Sequence, residues 1–138
     1  MNSLRPLDSQ MLLLSKVLDL RAEKAQVISS NIANAETPGY SPSVFNFEQD
    51  LRNAVQGSNP VNLATSNKNH FSLNSENFNS VTGKITKTAD GSGPGDGNDV
   101  SVEQEMISLS ENEILYETSA QLLKKRIGLL KYVISGGQ

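Results

Sequence analysis

The sequence predicts a mainly α-helical protein whose long N-terminal and C-terminal helices pair as an antiparallel coiled coil, with an irregular or small β-containing middle segment. Apolar residues recur at heptad spacing near both ends of the 138-residue chain. The region 57–99 is instead rich in Asn, Ser and Gly and carries few large apolar side chains. We therefore divide the chain into an N-terminal helix (1–36), a turn with the middle segment (37–100) and a C-terminal helix (101–138).

The first helix is expected to begin between Ser3 and Asp8 and to end near Ala35. Pro38 disfavours a helical conformation at Thr37, and Pro38-Gly39 suits the two central positions of a type II turn. The heptad pattern predicts which side chains of this helix line the seam with the second helix: Met11, Leu14, Leu18, Arg21, Ala25, Ile28 and Ile32.

Two asparagines lie on one face of the last turn of this helix. Asn31 and Asn34 are three residues apart and are therefore neighbours on the helix surface. Their amides can bond the unpaired carbonyls of the helix end, the turn backbone or another chain. We expect them to serve more than one of these partners.

The middle segment begins with apolar residues that fit either a short helix or an extended strand. Val44, Phe45, Phe47, Leu51 and Val55 belong to this part. Further along the chain, a second set is typical of short strands or of a packed loop: Val61, Leu63, Phe71, Leu73, Phe78, Val81 and Ile85.

The second helix is expected to begin after Ser101, which forms a capping box with Gln104, and to stop at Gly136 and Gly137. In an antiparallel pair, positions a face positions d. The predicted seam of this helix contains Val102, Met106, Leu109, Glu113, Tyr116, Ala120, Leu123 and Ile127.

One alignment of the two seams places Arg21 opposite Glu113, the only charged residues in either seam. Because any other alignment leaves a charge among apolar neighbours, we expect this register. It pairs Leu18 with Tyr116 and Ile32 with Val102. The start of the second helix then lies beside the turn that ends the first.

Each helix also carries a second apolar line, which a two-helix hairpin alone cannot bury. Burying one such side chain contributes roughly 1.5 to 3 kcal/mol, so this line predicts association of copies into a homo-oligomer. The alternative is that the middle segment folds back over it. The expected subunit-contact residues are Leu13, Val17, Leu20, Val27, Leu115, Leu122, Leu129 and Val133.

Composition excludes most other functions. The formal net charge is −3 without a basic cluster, so nucleic acid is not an expected partner. The chain has no cysteine and one histidine, His70, which disfavours metal sites and nucleophilic catalysis. We expect no enzyme activity, no cofactor and no small-molecule substrate. There is no segment resembling a signal peptide or membrane span.

Three motifs together resemble the flagellar basal-body rod proteins: NIANAETPGY after a long helix, then VFNFEQDL, then DGNDVSVEQEM at the start of a second helix. The chain has Glu36 where this family usually has Asp or Asn, a departure that affects a cap bond. The first motif contributes Asn31, Ile32, Ala33, Asn34, Ala35, Thr37, Pro38, Gly39 and Tyr40.

The resemblance implies a structural subunit of the periplasmic rod of the bacterial flagellum. Copies would stack helically, with the terminal helices in the rod wall, and transmit torque. Implied partners are other rod proteins, the adaptor protein FliE and the flagellar type III export gate, which exports such proteins without a cleaved signal. Phe47 and Leu51 match a short pattern that the gate recognises; the alternative is that Phe47 simply packs against the helices. The alternative is a secreted amphipathic protein that binds partners or membranes.

Overall fold

A computed structural model describes residues 5–56, 78–88 and 97–136 of the chain. The elements follow the order α1 (Arg5–Ala33), β1 (Ser43–Asn46), α2 (Glu48–Gln56), β2 (Lys84–Lys87) and α3 (Val102–Ile134). The prediction of a mainly helical protein with two long terminal helices and a small β-containing middle segment is confirmed. The candidate strand residues Val61, Leu63, Phe71 and Leu73 and the histidine His70 lie outside the described residues.

Helix α1 ends at Ala33, two residues before the predicted Ala35. The predicted turn follows, with the Tyr40 N–H donating to the Thr37 carbonyl at 3.2 Å. Gly39, at the third position of this turn, has φ 69°, as a type II turn requires. The chain therefore leaves α1 through the Pro-Gly turn that the sequence predicts.

The segment after the turn forms both of the structures left open by its sequence. Strand β1 pairs antiparallel with β2, Phe45 standing opposite Ile85, and α2 begins directly afterwards at Glu48. Side chains alternate between the two faces of a strand, so Phe45 is buried while its neighbours Val44 and Asn46 are exposed. The small sheet thus presents one aromatic side chain to α1.

The core lies between α1 and this middle segment. Leu20 packs with Phe45, Phe47 and Val81, and the Phe45 and Phe47 ring centroids are 5.8 Å apart. Leu20 is only 1% exposed. The middle segment therefore folds back over α1 at this point. Half-buried residues complete the cluster, namely Val27, Leu51 and Ala54.

Gly83 lets β2 approach this core closely. It has φ 67°, and a Cβ at this position would overlap the Phe45 ring. Only glycine combines that left-handed conformation with the absence of a side chain. The residue therefore fixes the path by which the chain enters β2.

Helix α3 starts and stops where the sequence predicts. The Ser101 hydroxyl accepts a hydrogen bond from the Gln104 N–H at 3.4 Å, which is the expected N-cap. At the other end, Gly136 takes φ 72° just after the last helical residue, Ile134.

Helices α1 and α3 pack together, and hydrogen bonds join Arg21 to Asn112 and Asn31 to Glu105, so the helices run in opposite directions.

Candidate assembly interface and its supporting junctions

Asn31 is the centre of the junction between α1, the chain after the turn and α3. Its Nδ2 donates to the Ser43 carbonyl at 2.8 Å and to Glu105 Oε2 at 3.1 Å. Its Oδ1 accepts from the Ser43 N–H at 2.9 Å and from the Tyr40 hydroxyl at 3.2 Å. The side chain is 1% exposed. Asn31 therefore bonds the chain that leaves the turn, one of the partners the sequence allows.

Asn34 serves the helix end itself. Its Nδ2 donates to the Ser30 carbonyl at 2.8 Å, and its Oδ1 accepts from the Thr37 hydroxyl at 3.3 Å. These are local, exposed contacts. The two asparagines of the motif thus have different roles, Asn31 joining three segments and Asn34 completing the last turn.

Asn98 caps the end of α1 from the segment that precedes α3. Its Nδ2 lies 2.9 Å from the Asn34 carbonyl, 2.8 Å from the Ala35 carbonyl and 2.8 Å from the Thr37 carbonyl. Its Oδ1 accepts from the Val100 N–H at 2.9 Å. Because helix ends leave carbonyls unpaired, this amide can hold the start of α3 beside the end of α1. The sequence predicts that these two helix ends lie side by side.

A second polar junction joins α1, α2 and α3 around Arg21. The guanidinium Nη1 lies 3.4 Å from Glu48 Oε1 and 3.3 Å from Asn112 Oδ1. The Asn112 amide donates to the Arg21 carbonyl at 2.9 Å, and Lys24 Nζ lies 2.7 Å from Glu48 Oε1. The arginine also stands over the Phe47 ring, 5.0 Å from its centroid. The positive charge of Arg21 is thus paired with the Glu48 carboxylate inside the fold.

The predicted pairing of Arg21 with Glu113 is not present. Asn112, one residue earlier, is 3% exposed and occupies that place, while Glu113 is exposed. The physical reason is that Asn112 both donates to the Arg21 backbone and accepts from its guanidinium, while Glu48 supplies the negative charge from α2. A carboxylate in the helix seam is therefore unnecessary.

Glu48 is the acidic centre of this junction. Partial burial acts to raise the pKa of its carboxyl, but hydrogen bonds from Lys24 and from the backbone N–H groups of Glu48 and Phe47 act in the opposite sense. The net result is a pKa below the ordinary value for glutamate. These hydrogen bonds therefore favour the ionised form of the Glu48 carboxyl.

The predicted seam residues of α1 are all buried or half-buried among the described side chains. Ile28 is buried, and the others are half-buried: Met11, Leu14, Leu18, Arg21, Ala25 and Ile32. On α3 the predicted set divides. Leu109, Ala120 and Leu123 are half-buried, whereas Val102, Met106, Glu113, Tyr116 and Ile127 are exposed. Within one chain, α3 meets α1 through a face that is rotated relative to the predicted seam.

The expected subunit-contact residues also divide between the two helices. On α1, Leu20 lies inside the core rather than on a subunit surface, because Phe45, Phe47 and Val81 cover it. The other three α1 residues, Leu13, Val17 and Val27, are half-buried. On α3 the side chains remain in solvent: Leu115 is 46%, Leu122 49%, Leu129 58% and Val133 69% exposed.

Phe47 and Leu51, the expected export-gate residues, belong to the core. Phe47 is 2% exposed beneath Arg21 and Lys24, and Leu51 packs against the same cluster.

Within residues 5–56, 78–88 and 97–136, no three His, Asp or Glu side chains converge on a metal position. No helix in these described ranges is long and apolar enough to cross a membrane.

Comparison with known proteins identifies the family. The family model for the flagella basal body rod protein matches residues 18–40, which include the motif around Asn31. The flagellar basal body rod protein FlgB of Aeromonas hydrophila is 39% identical over 115 residues, covering 83% of this chain and 84% of that protein. The chain belongs to the FlgB family of flagellar basal body rod proteins.

Other FlgB proteins are similar over the same extent. FlgB of Buchnera aphidicola is 31% identical over 122 residues, which cover 88% of this chain and 90% of that protein. FlgB of Bacillus subtilis is 31% identical over 117 residues, which cover 83% and 84%. The similarity therefore extends across most of the chain.

Two junction residues of this FlgB-family chain were not predicted from its sequence. Asn112 stands between two predicted seam positions, and the apolar periodicity gave it no role. Asn98 lies in a Gly-rich and Asp-rich stretch whose composition indicates only a flexible joint. In both cases the usable signal is a single Asn next to a helix seam or a helix end, where an amide can pair with backbone groups.

Proposed function

We propose that this FlgB-family chain is a structural subunit of the proximal rod that self-assembles helically and joins the export gate and the base of the flagellum to the rest of the rod. In this role it transmits torque and performs no enzymatic reaction. The names of its relatives, which are rod proteins, support this choice of function.

The observation that carries the self-assembly is the exposed apolar surface of α3. Leu122 is 49% and Leu129 58% exposed, and Val133 is 69% exposed. Full burial of such side chains stabilises by roughly 1.5 to 3 kcal/mol each. In the part of the chain that the structure describes, Phe45, Phe47 and Val81 cover α1 at Leu20, whereas these α3 side chains remain exposed. We therefore propose that neighbouring copies bury them.

The terminal helices form the rod wall in this proposal, paired as an antiparallel coiled coil. The exposed seam residues Val102, Met106, Tyr116 and Ile127 would then be covered between chains or by tighter helix packing on assembly. Other flagellar rod proteins and the adaptor protein FliE are the further partners we propose at the two ends of the stack of copies.

The proposed export route requires an unfolded or partly opened chain. Phe47 and Leu51 would be recognised by the flagellar type III export gate before folding, because Phe47 is 2% exposed once the core has formed. Folding after export then hides the segment. Export by this route needs no cleaved signal peptide and delivers the chain to the periplasmic rod.

A pair of matched substitutions tests the proposal in a bacterium whose own gene has been replaced by this one. Leu122→Asp places a charge on the exposed face, while Gln121→Asp changes the neighbouring exposed residue on another side of the helix. We expect Leu122→Asp to abolish swimming while export continues, and Gln121→Asp to leave swimming intact. Normal swimming by Leu122→Asp would contradict the proposal.

The alternative of a membrane-associated amphipathic protein is tested separately with the purified chain. Flotation with vesicles of anionic lipid would detect membrane binding by the monomer. We expect the chain to stay in the lower fractions. Firm flotation, lost in Leu122→Asp, would favour the membrane function over the rod.

A further inference from the structure

The side of α3 that faces away from α1 carries a narrow stripe of exposed residues. The face that contacts α1 contains Glu105 and Asn112. At 100° per residue, nine exposed positions fall within about 80° of arc centred opposite that face. We call this set the back stripe, and it consists of Gln104, Ile107, Glu111, Ile114, Thr118, Leu122, Lys125, Leu129 and Tyr132.

Five members of the back stripe are large apolar side chains that are each between 49% and 65% exposed. Two more exposed apolar residues, Leu115 and Val133, border the stripe about 60° from its centre line. A continuous line of large apolar side chains on the surface of a helix marks an interaction site. The spacing and the charges of the stripe indicate which partner it fits.

The spacing of the back stripe is the same when it is read from either end. Successive members lie 3, 4, 3 and 4 residues apart from Gln104 to Thr118, and 4, 3, 4 and 3 residues apart from Thr118 to Tyr132. Heptad positions a and d alternate at such spacings, and the repeated four-residue step at Thr118 reverses their order. An antiparallel pair of helices sets a against d. A second α3 that runs in the opposite direction and is centred on Thr118 therefore satisfies this rule in every layer.

The two charges of the back stripe favour the same arrangement. Glu111 lies seven residues before Thr118, and Lys125 lies seven residues after it. In the antiparallel pair, Glu111 of each copy faces Lys125 of the other. A parallel pair in register would instead set each charge against its own counterpart, and like charges that face each other weaken a contact. Spacing and charge therefore agree on a second copy as the partner and on its direction.

We propose that the back stripe binds the back stripe of a second copy in a two-fold antiparallel dimer centred on Thr118. The layers next to each ion pair join Ile107 to Leu129 and Ile114 to Leu122 of the other copy. The whole contact is about 42 Å long. A shift in register would leave a charge facing apolar neighbours, which costs stability, so the ion pairs fix the alignment of the two helices.

This contact uses the same surface on both copies and closes as a dimer. Copies in the proposed rod share one direction from the base outward, whereas a two-fold contact reverses the partner. The dimer is therefore a state of the free chain, in which Leu122 and Leu129 are covered before the chain joins the rod and the two copies separate. The dimer follows from α3 alone and does not depend on the proposed function.

Disulfide crosslinking tests the dimer directly, because the chain has no cysteine. Thr118 lies on the two-fold axis, so Thr118→Cys alone should give a covalent dimer on gentle oxidation. Ile107 lies about 33 Å from its counterpart in the other copy, so Ile107→Cys alone should not crosslink, whereas its mixture with Leu129→Cys should. All three side chains are exposed, so the substitutions should leave the fold intact.

Exchange of the two charges tests the ion pairs by sedimentation equilibrium. Lys125→Glu should raise the dissociation constant of the dimer by about tenfold or more, because glutamates then face each other in both halves of the contact. Glu111→Lys in the same chain should restore dimerisation, since each layer again joins opposite charges.

Three outcomes would overturn the inference. The first is an Ile107→Cys dimer that forms as readily as the Thr118→Cys dimer, since that requires a parallel contact. The second is a dimer that Lys125→Glu does not weaken. The third is an unmodified chain that stays monomeric in sedimentation velocity at every concentration. The proposed rod function is decided separately, by the swimming of the Leu122→Asp strain.

Discussion

Replacement of Asn31 by alanine should destabilise the fold far more than the loss of one polar side chain usually does. Asn31 makes four hydrogen bonds from a position that is 1% exposed. Each hydrogen bond contributes about 0.5 to 1.5 kcal/mol, and a partner left unpaired in the interior costs about 1 to 3 kcal/mol. Both backbone groups of Ser43 lose their partner at once.

We expect Asn31→Ala to lower the free energy of unfolding by about 3 kcal/mol, because the half-buried partners Ser43, Tyr40 and Glu105 regain some bonds to water. Urea unfolding followed by far-ultraviolet circular dichroism measures this loss. With a slope of about 2 kcal/mol per M, the midpoint should fall by about 1.5 M. The measurement belongs at a protein concentration where sedimentation shows monomers, since association would mask the change.

Asn34→Ala is the matched control, as it removes the same side chain three residues later in the same motif. Among the described residues, the Asn34 amide bonds local, exposed groups, so its loss should cost less than about 1 kcal/mol. Equal effects of the two substitutions, or a loss below about 1 kcal/mol for Asn31→Ala, would refute the account of the junction.

Three further predictions concern the core and the α2 junction. Leu20→Ala should cost about 3 kcal/mol, because it opens a cavity between α1 and the middle segment. Gly83→Ala should cost about 2 to 4 kcal/mol, because the new Cβ meets the Phe45 ring in a left-handed conformation. The pKa of the Glu48 carboxyl is lower in the folded chain than in the unfolded one. The ionised carboxylate therefore stabilises the fold at pH values above the unfolded pKa, about 4.3. This contribution disappears as the pH falls through the folded pKa. The stability advantage of the natural chain over Glu48→Gln should therefore be modest and constant near neutral pH and vanish in acid.

Each of these has its own control or contradicting result. Leu12→Ala is the control for Leu20→Ala, because the Leu12 side chain is 48% exposed, and it should change the free energy of unfolding by only about 0.5 kcal/mol. A loss as small as this for Leu20→Ala would contradict the position of Leu20 in the core. A stable Gly83→Ala variant would show that β2 can take another path. For Glu48, an advantage over Glu48→Gln that grows in acid would reverse the expected sign.

Sequence periodicity predicts the helices well because their ends carry strong local signals. Pro38-Gly39 ends α1 and Ser101 caps α3, and both depend on neighbouring residues alone. The β1–β2 pair is different, since Phe45 and Ile85 are brought together from distant parts of the chain. No local pattern specifies that pairing, and it is the pairing that places Phe45 over Leu20.

The face of α3 that meets α1 was harder to predict because apolar residues surround much of that helix. The heptad rows select a seam containing Met106 and Glu113, yet in the chain the contact passes through Asn112. Periodicity identifies which residues are apolar on a helix, but it does not choose among several apolar faces. Glu48 supplies the negative charge beside Arg21 that Glu113 was expected to supply.

Burial of α3 by neighbouring copies is tested most directly by an image of the assembled rod at side-chain resolution. We expect a neighbouring copy to cover Leu122 and Leu129 there, which are 49% and 58% exposed in the single chain. An assembled rod in which both side chains still face solvent would contradict it.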